Sequence, residues 1–181
     1  GLTDGPLVSV IVAAFRAEAT IGYAIRSLLN QTYRNIEILI ADDCSDDATS
    51  ERLRDLAGDP RIRIYRGTEN QGPYNIRNQL IAEARGDIIT FHDADDIALP
   101  HRISTQMEQM IHHQAKVVLG SWLRIKENGH VVAFRDGRFL RACLNSILFT
   151  RSIYDQFGPY RSILCGADSE FYEQLRGRLP N

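Results

Sequence analysis

The sequence predicts an open α/β fold: a mostly parallel central sheet flanked by helices, with a smaller mixed portion towards the C-terminus. Three observations carry this. Apolar runs of strand length alternate with segments of helical period as far as residue 99. The first run is almost continuously apolar, as strands covered on both faces are. Acidic clusters close two of the strands, at the edge where open α/β sheets bind ligands.

Taken in order, residues 7–13 (LVSVIVA) form the first strand. Ile21, Ala24, Ile25, Leu28 and Leu29 then recur on one helical face. Residues 36–41 (IEILIA) make the second strand, which ends in Asp42-Asp43, and a helix through Thr49, Leu53 and Leu56 stops near Gly58-Asp59-Pro60. Residues 61–65 alternate like a half-exposed strand. A helix carrying Ile76, Leu80 and Ile81 leads through Gly86 to a strand with Ile88, Ile89 and Phe91.

Beyond that strand, Pro100 suits the first turn of a helix with Ile103, Met107 and Met110. The pattern then changes. Residues 117–122 and 130–134 read as strands joined by a Glu127-Asn128-Gly129 turn. A short strand at 146–149 precedes a helix near 153–157, and a last helix begins near Ala167 and carries Phe171, Tyr172 and Leu175.

Composition narrows the function. A chain of 181 residues, 44% of them hydrophobic, can bury one sizeable core, so residues 1–181 read as a single domain. A net charge of −2 gives no case for nucleic-acid or membrane-surface binding. Cys44, Cys143 and Cys165 are odd in number and form no CxxC pair, which points to free thiols and a reducing, cytoplasmic setting. No apolar run reaches the length of a membrane span, and no signal-peptide pattern is present.

The most informative motif is Asp93-Ala94-Asp95-Asp96, which directly follows the strand ending at Phe91. Three carboxylates this close repel one another and call for a compensating cation. An Asp-x-Asp pair offers hard oxygens to Mg²⁺ or Mn²⁺, which can in turn hold a phosphate; the alternative is a solvated acidic turn. Asp43 closes the second strand on the same edge and can accept bonds from a base or ribose, whereas Asp42, Asp46 or Asp47 can cap the next helix. The connection Ala14-Phe15-Arg16-Ala17-Glu18 lacks glycine, so it is neither a dinucleotide loop nor a Walker loop. Phe15 can stack on a base or join the core. Arg77 can pair with Asp43, Asp93 or a diphosphate, or form a surface salt bridge. Asp168 stands at a helix start, either as an N-cap or as a carboxylate that takes a proton. Neither acidic cluster fits a calcium loop, and the five histidines make no zinc pattern.

Together these residues resemble the family 2 glycosyltransferases, which have a Rossmann-like GT-A fold. The resemblance runs from Val8-Ser9-Val10-Ile11-Val12 with Phe15, through Ser27-Leu28-Leu29-Asn30-Gln31-Thr32-Tyr33, to residues 36–47 (IEILIADDCSDD). It continues through Asn70-Gln71-Gly72, Arg77-Asn78 and residues 86–96 (GDIITFHDADD), and ends at residues 166–171 (GADSEF). It implies a nucleotide-diphosphate sugar donor, a UDP-sugar on family grounds, and inversion at the anomeric carbon. Phe15, Glu18, Asp43 and Arg77 fall where the family binds base and ribose, and Asp93 falls near the ribose. Asp95 matches the ligand of a Mn²⁺ or Mg²⁺ ion, and Asp168 matches the general base.

The resemblance further implies a nucleotide-binding half at 7–99 and an acceptor or catalytic half at 100–181. The implied acceptor is a saccharide or lipid-linked molecule in cell-surface polysaccharide or glycolipid synthesis. The implied location is cytoplasmic, at the inner membrane face where the domain is part of a longer protein. Two departures stand out: Cys44 replaces the usual glycine after the paired aspartates, and Arg16 replaces a common asparagine. No QxxRW element or membrane span is present, which argues against a processive synthase. A metal-dependent nucleotide-sugar hydrolase and a catalytically silent nucleotide-binding module are the alternatives.

Overall fold

The computed structural model describes residues 2–126, 128–163 and 166–178. Glu127 of the expected turn and Cys165 of the expected free thiols lie outside the described residues; Cys44 and Cys143 are free.

The first two-thirds alternate strand and helix as the apolar periods require. In order these are β1 (Val8–Ala14), α1 (Ile21–Leu29), β2 (Ile36–Asp42), α2 (Thr49–Arg54), β3 (Ile62–Arg66), α3 (Pro73–Glu83) and β4 (Ile88–Phe91). They are followed by α4 (Arg102–His112), β5 (Val117–Trp122), β6 (Arg124–Ile125), β7 (Val131–Val132), β8 (Arg141–Thr150), α5 (Arg151–Phe157) and α6 (Ala167–Arg178). A six-stranded sheet runs in the order β3-β2-β1-β4-β8-β5. The first four strands are parallel, β8 joins β4 antiparallel, and β5 pairs antiparallel with β8 and so runs in the direction of the first four.

Strand alternation sends side chains to two apolar layers. Val8, Val10, Val12, Ile38 and Ile40 pack with Ile21, Ile25 and Leu28 of α1 and Ile103 and Met107 of α4. Ile11, Leu39, Ile89 and Phe91 pack on the opposite side with Ile76, Leu80 and Ile81 of α3, Ile153 of α5, and Phe171 and Leu175 of α6. This two-sided cover explains why β1 and β2 are apolar almost throughout.

One polar device interrupts the second layer. The buried Glu37 carboxylate accepts bonds from Ser9 Oγ (2.6 Å), from the Arg85 and Gly86 backbone N–H groups (2.6 and 3.2 Å) and from Arg63 (3.2 Å). Burial pushes this carboxyl up, but the four donors together outweigh it and hold it below the ordinary glutamate value. Gly86 is needed here, because a Cβ would lie 2.5 Å from the Leu7 carbonyl oxygen.

The C-terminal portion corrects two expectations. Residues 117–122 do not form a hairpin with 130–134: β5 pairs with β8, and the small hairpin is made by β6 and β7. Val117, Val118 and Leu119 find a half-buried place beside β8, whereas Ile125 and Val131 stay exposed outside the sheet. Pro100 precedes α4 instead of entering its first turn; its carbonyl accepts a bond from Thr32 N–H (2.8 Å). No helix among the described residues is long and apolar enough to cross a membrane.

Candidate active site

The four parallel strands end on one edge, and the loops leaving that edge carry the acidic residues. Ala14 lies level with Asp42, but β4 stops level with Ile11, three residues short of the end of β1, and the 93–96 turn follows from there. The loops after β1 and β2 are joined across this edge. Arg16 N–H donates to Ser45 Oγ (2.9 Å), its guanidinium grips Asp46 with two bonds (2.7 and 2.8 Å), and Ala17 N–H donates to Thr49 Oγ1 (2.8 Å). Both positions that depart from the family pattern have positive φ, 49° at Arg16 and 62° at Cys44. Asparagine and glycine are the residues such backbone favours, so the sequence carries local strain in both loops.

Phe15 sits in the first of these loops. It is 45% exposed, so it is not part of the core, and the Arg16 guanidinium lies 5.2 Å from its ring centroid. Glu18 accepts the Ala48 N–H at the start of α2 (2.9 Å). Neither Asp46 nor Asp47 is the N-cap of α2, a position held by Ala48. Asp46 is instead engaged by Arg16, while Asp47 binds the Thr49 backbone N–H (3.0 Å) and hydroxyl.

The first turns of α3 gather the remaining carboxylates. Asp43 is only 3% exposed, and its two oxygens accept the Gln71 and Gly72 backbone N–H groups (2.9 and 2.8 Å). Each oxygen retains acceptor capacity beyond these bonds. Arg77, 5% exposed, lies 4.9 Å from the Phe91 ring centroid and 5.4 Å from that of Tyr74, and bonds Asp93 Oδ1 at 2.9 Å. Among the partners weighed from sequence, Arg77 therefore takes Asp93. Asn145 donates to the other Asp93 oxygen.

Carried three residues past the Thr90–Leu148 pair, the antiparallel β4–β8 register sets Asn145 level with Asp93, and beside it the β5–β8 register shifts between Val118 and Gly120. Gly120 fits this shift: a Cβ there would come within 2.3 Å of Ser146 Oγ.

Burial raises Asp93 above the ordinary carboxylate range; Arg77 and Asn145 oppose this, and Asp95 adds to it. Asp96 is also raised, first by burial and then by Asp93 and Asp95. Asp95 is exposed and, among the described residues, makes no hydrogen bond or ion pair. From behind the turn, Arg102 donates to the Phe91 carbonyl (3.0 Å). Burial pushes the adjacent His92 down to about 3, so it stays neutral against the Asp96 carbonyl (3.1 Å).

The described residues contain no group of three His, Cys, Asp or Glu side chains able to cage a metal. One free carboxylate among crowded acidic neighbours does fit Mg²⁺ or Mn²⁺, which bind through one or two carboxylates and complete their shells with water and substrate phosphates.

Asp168 lies in the first turn of α6 and is not its N-cap, since the helix begins at Ala167. Tyr74 donates to Asp168 Oδ1 at 2.8 Å. Asn78, one turn beyond Tyr74, accepts the Tyr160 N–H (2.9 Å) and the Tyr154 hydroxyl (3.0 Å), and donates to the Tyr160 carbonyl (2.8 Å). In this way α3 holds the segment leading to α6. Tyr74 and Asn145 escape the sequence reading. The spacing of Tyr74 and Arg77 offers the one usable signal, because residues three apart share a helix face.

Comparisons with known proteins agree with this architecture. A 349-residue piece of Staphylococcus aureus TarS, solved with UDP, superposes with a TM-score of 0.74 at 20% identity, covering 91% of this chain and 53% of that one. The Pyrobaculum calidifontis mannosyltransferase PcManGT, solved with GDP-Man and Mn²⁺, gives 0.73 at 18% identity over 94% and 52% of the two chains. These show a GT-A fold. By sequence, the chain is 34% identical over 131 residues to the Escherichia coli UDP-Glc:alpha-D-GlcNAc-diphosphoundecaprenol beta-1,3-glucosyltransferase WfgD, covering 72% of this chain and 51% of the relative. It is 36% identical over 136 residues to the succinoglycan biosynthesis protein ExoO of Rhizobium meliloti, covering 75% and 36%. The chain spans about half the length of the first curated relatives it matches. The model of glycosyl transferase family 2 matches residues 9–168, and the chain belongs to that family.

Proposed function

We propose that this domain transfers a sugar, with inversion, from a nucleotide-diphosphate donor to an acceptor hydroxyl in cell-surface polysaccharide or glycolipid synthesis. The observation that carries this is the gathering of Asp43, Asp93 and Asp168 around the first turns of α3. Donor-side and base-side carboxylates thereby share one rigid support. A UDP-sugar is the donor we favour, supported by the UDP named for TarS and the UDP-Glc named for WfgD. Residues 7–99 supply the donor half and 100–181 the acceptor half.

In this account Phe15 offers a face for the base, and the joined loops around Glu18 and Asp43 fix the pocket walls. Arg77 pairs with Asp93 and opposes the rise that burial imposes on its carboxyl. Asp95 would hold a divalent cation, which when bound would supply charge stabilisation for the departing diphosphate. Asp168 removes the acceptor proton during attack, because a neutral hydroxyl is a weak nucleophile. Holding donor and acceptor in line supplies several kcal/mol of the rate gain.

The test pairs binding with turnover. UDP at a hundredfold its dissociation constant, with Mn²⁺, should stabilise the protein by about 2.7 kcal/mol. Asp95→Ala should lose the Mn²⁺-dependent part of that shift. Asp168→Asn should keep UDP binding and lose sugar transfer; full transfer by that variant would remove the base assignment. Rapid acceptor-independent sugar release would favour a hydrolase, and binding without any turnover a silent nucleotide-binding module.

A further inference from the structure

We propose that Tyr74 is the positioning residue of the base, fixing one Asp168 oxygen so that the other is presented to the acceptor hydroxyl. This rests on the assignment of Asp168 as base and assigns a role to a residue outside the family motifs quoted above.

The tyrosine is locked before it meets the carboxylate. It is 8% exposed and stacks on Tyr160 at 5.9 Å with an interplanar angle of 21°. The Arg77 guanidinium lies 5.4 Å from its ring centroid. Its hydroxyl oxygen accepts the Gly166 N–H at 3.1 Å, which turns the hydroxyl hydrogen towards Asp168 Oδ1 at 2.8 Å. Among the described residues Asp168 Oδ2 has no hydrogen-bond partner. An aspartate with neither oxygen held could rotate about χ2; with Oδ1 pinned, Oδ2 has one direction.

The surroundings leave this bond little competition. Arg77 is committed to Asp93, the Tyr154 hydroxyl to Asn78, and Glu170 to Arg161 at 2.9 Å. Burial, then the bond to Asp168, pushes the Tyr74 phenol above its ordinary value, so it remains a donor at neutral pH. The same helix turn that contacts Asp93 through Arg77 thus aims the base from a fixed distance along α3.

The test is a double-mutant cycle on kinetics, with UDP- and GDP-sugars in Mn²⁺, a panel of saccharide acceptors, and acceptor-dependent nucleotide release as the readout. Tyr74→Phe keeps the ring and removes only the donor. It should lower kcat about tenfold or more, as a small misplacement of a catalytic group does, and leave KM for the donor within about twofold. In the Asp168→Asn background the same change should do nothing further, because the two residues act as a unit. An equal loss in both backgrounds, a change in KM alone, or a lowered thermal midpoint with unchanged kcat would overturn the role of Tyr74 while leaving Asp168 as base. Unimpaired turnover in Asp168→Asn, or no nucleotide release by the parent protein, would overturn the base assignment and this inference with it.

Discussion

Asp43→Asn should destabilise the protein in the absence of any ligand. Asp43 is almost fully buried, and each of its oxygens accepts one backbone N–H, from Gln71 at 2.9 Å and Gly72 at 2.8 Å. Hydrogen bonds to a charged group contribute about 1.5–3 kcal/mol each. The asparagine amide keeps one acceptor oxygen and replaces the other with a donor. One backbone N–H then faces an NH₂ group, and the surviving bond loses its charge assistance. The expected cost is about 2–4 kcal/mol. For a chain of this size that lowers the thermal midpoint by about 4–16 °C. Urea denaturation with nucleotide and metal absent gives the free energy, and a thermal melt gives the shift. The far-UV circular dichroism should be preserved, since the bonds anchor a loop and the start of α3 without entering a strand ladder. A loss below about 0.5 kcal/mol, the size typical of a surface change, would refute the anchoring role and leave Asp43 as a ligand contact alone.

Three further outcomes follow from the geometry. Cys44→Gly relieves a φ of 62° and should raise stability by about 0.5 kcal/mol after the added chain entropy of glycine; a lower thermal midpoint would contradict it. Arg77→Met strands the part-buried Asp93 carboxylate and should cost about 2–4 kcal/mol in urea denaturation, with Asp93→Asn recovering part of the loss in the double variant; simple additivity would deny the pairing. Glu37 is held below its ordinary value of 4.5, so its contribution is fully present above that pH and is lost as pH falls through its native value. Glu37→Gln should therefore flatten the acid limb of the stability–pH profile below about pH 4.5, and an unchanged limb would refute the assignment.

The parallel part of the sheet was legible because each of its signals is local. The continuous apolar run of β1, the helical spacing of α1 and the acidic strand ends can be read without knowing what lies opposite. The C-terminal portion was not, because its pairing depends on distant partners. β8 begins at Arg141, five residues before the apolar run that betrays it, and its register shift leaves no periodic trace. The bonds that complete the candidate site join Asn145 to Asp93, 52 residues away, and Tyr74 to Asp168, 94 residues away. Sequence could nominate the carboxylates, since ionised groups at a strand end demand partners. It could not say that backbone N–H groups would hold Asp43, or that Asp168 would stand one residue inside a helix with a tyrosine as its donor. Asp46 and Asp47 illustrate the same limit: both are sound cap residues, yet Arg16 from another loop claims the first.

In the proposed reaction the carboxyl edge of the parallel strands holds the donor diphosphate through a cation on Asp95. The most direct measurement is the anomalous scattering of Mn²⁺ in crystals grown with UDP. The account expects a single strong peak within about 2.3 Å of an Asp95 carboxylate oxygen, with the UDP phosphates on its other side. A manganese peak away from Asp95, or UDP bound with no metal at that carboxylate, would contradict it.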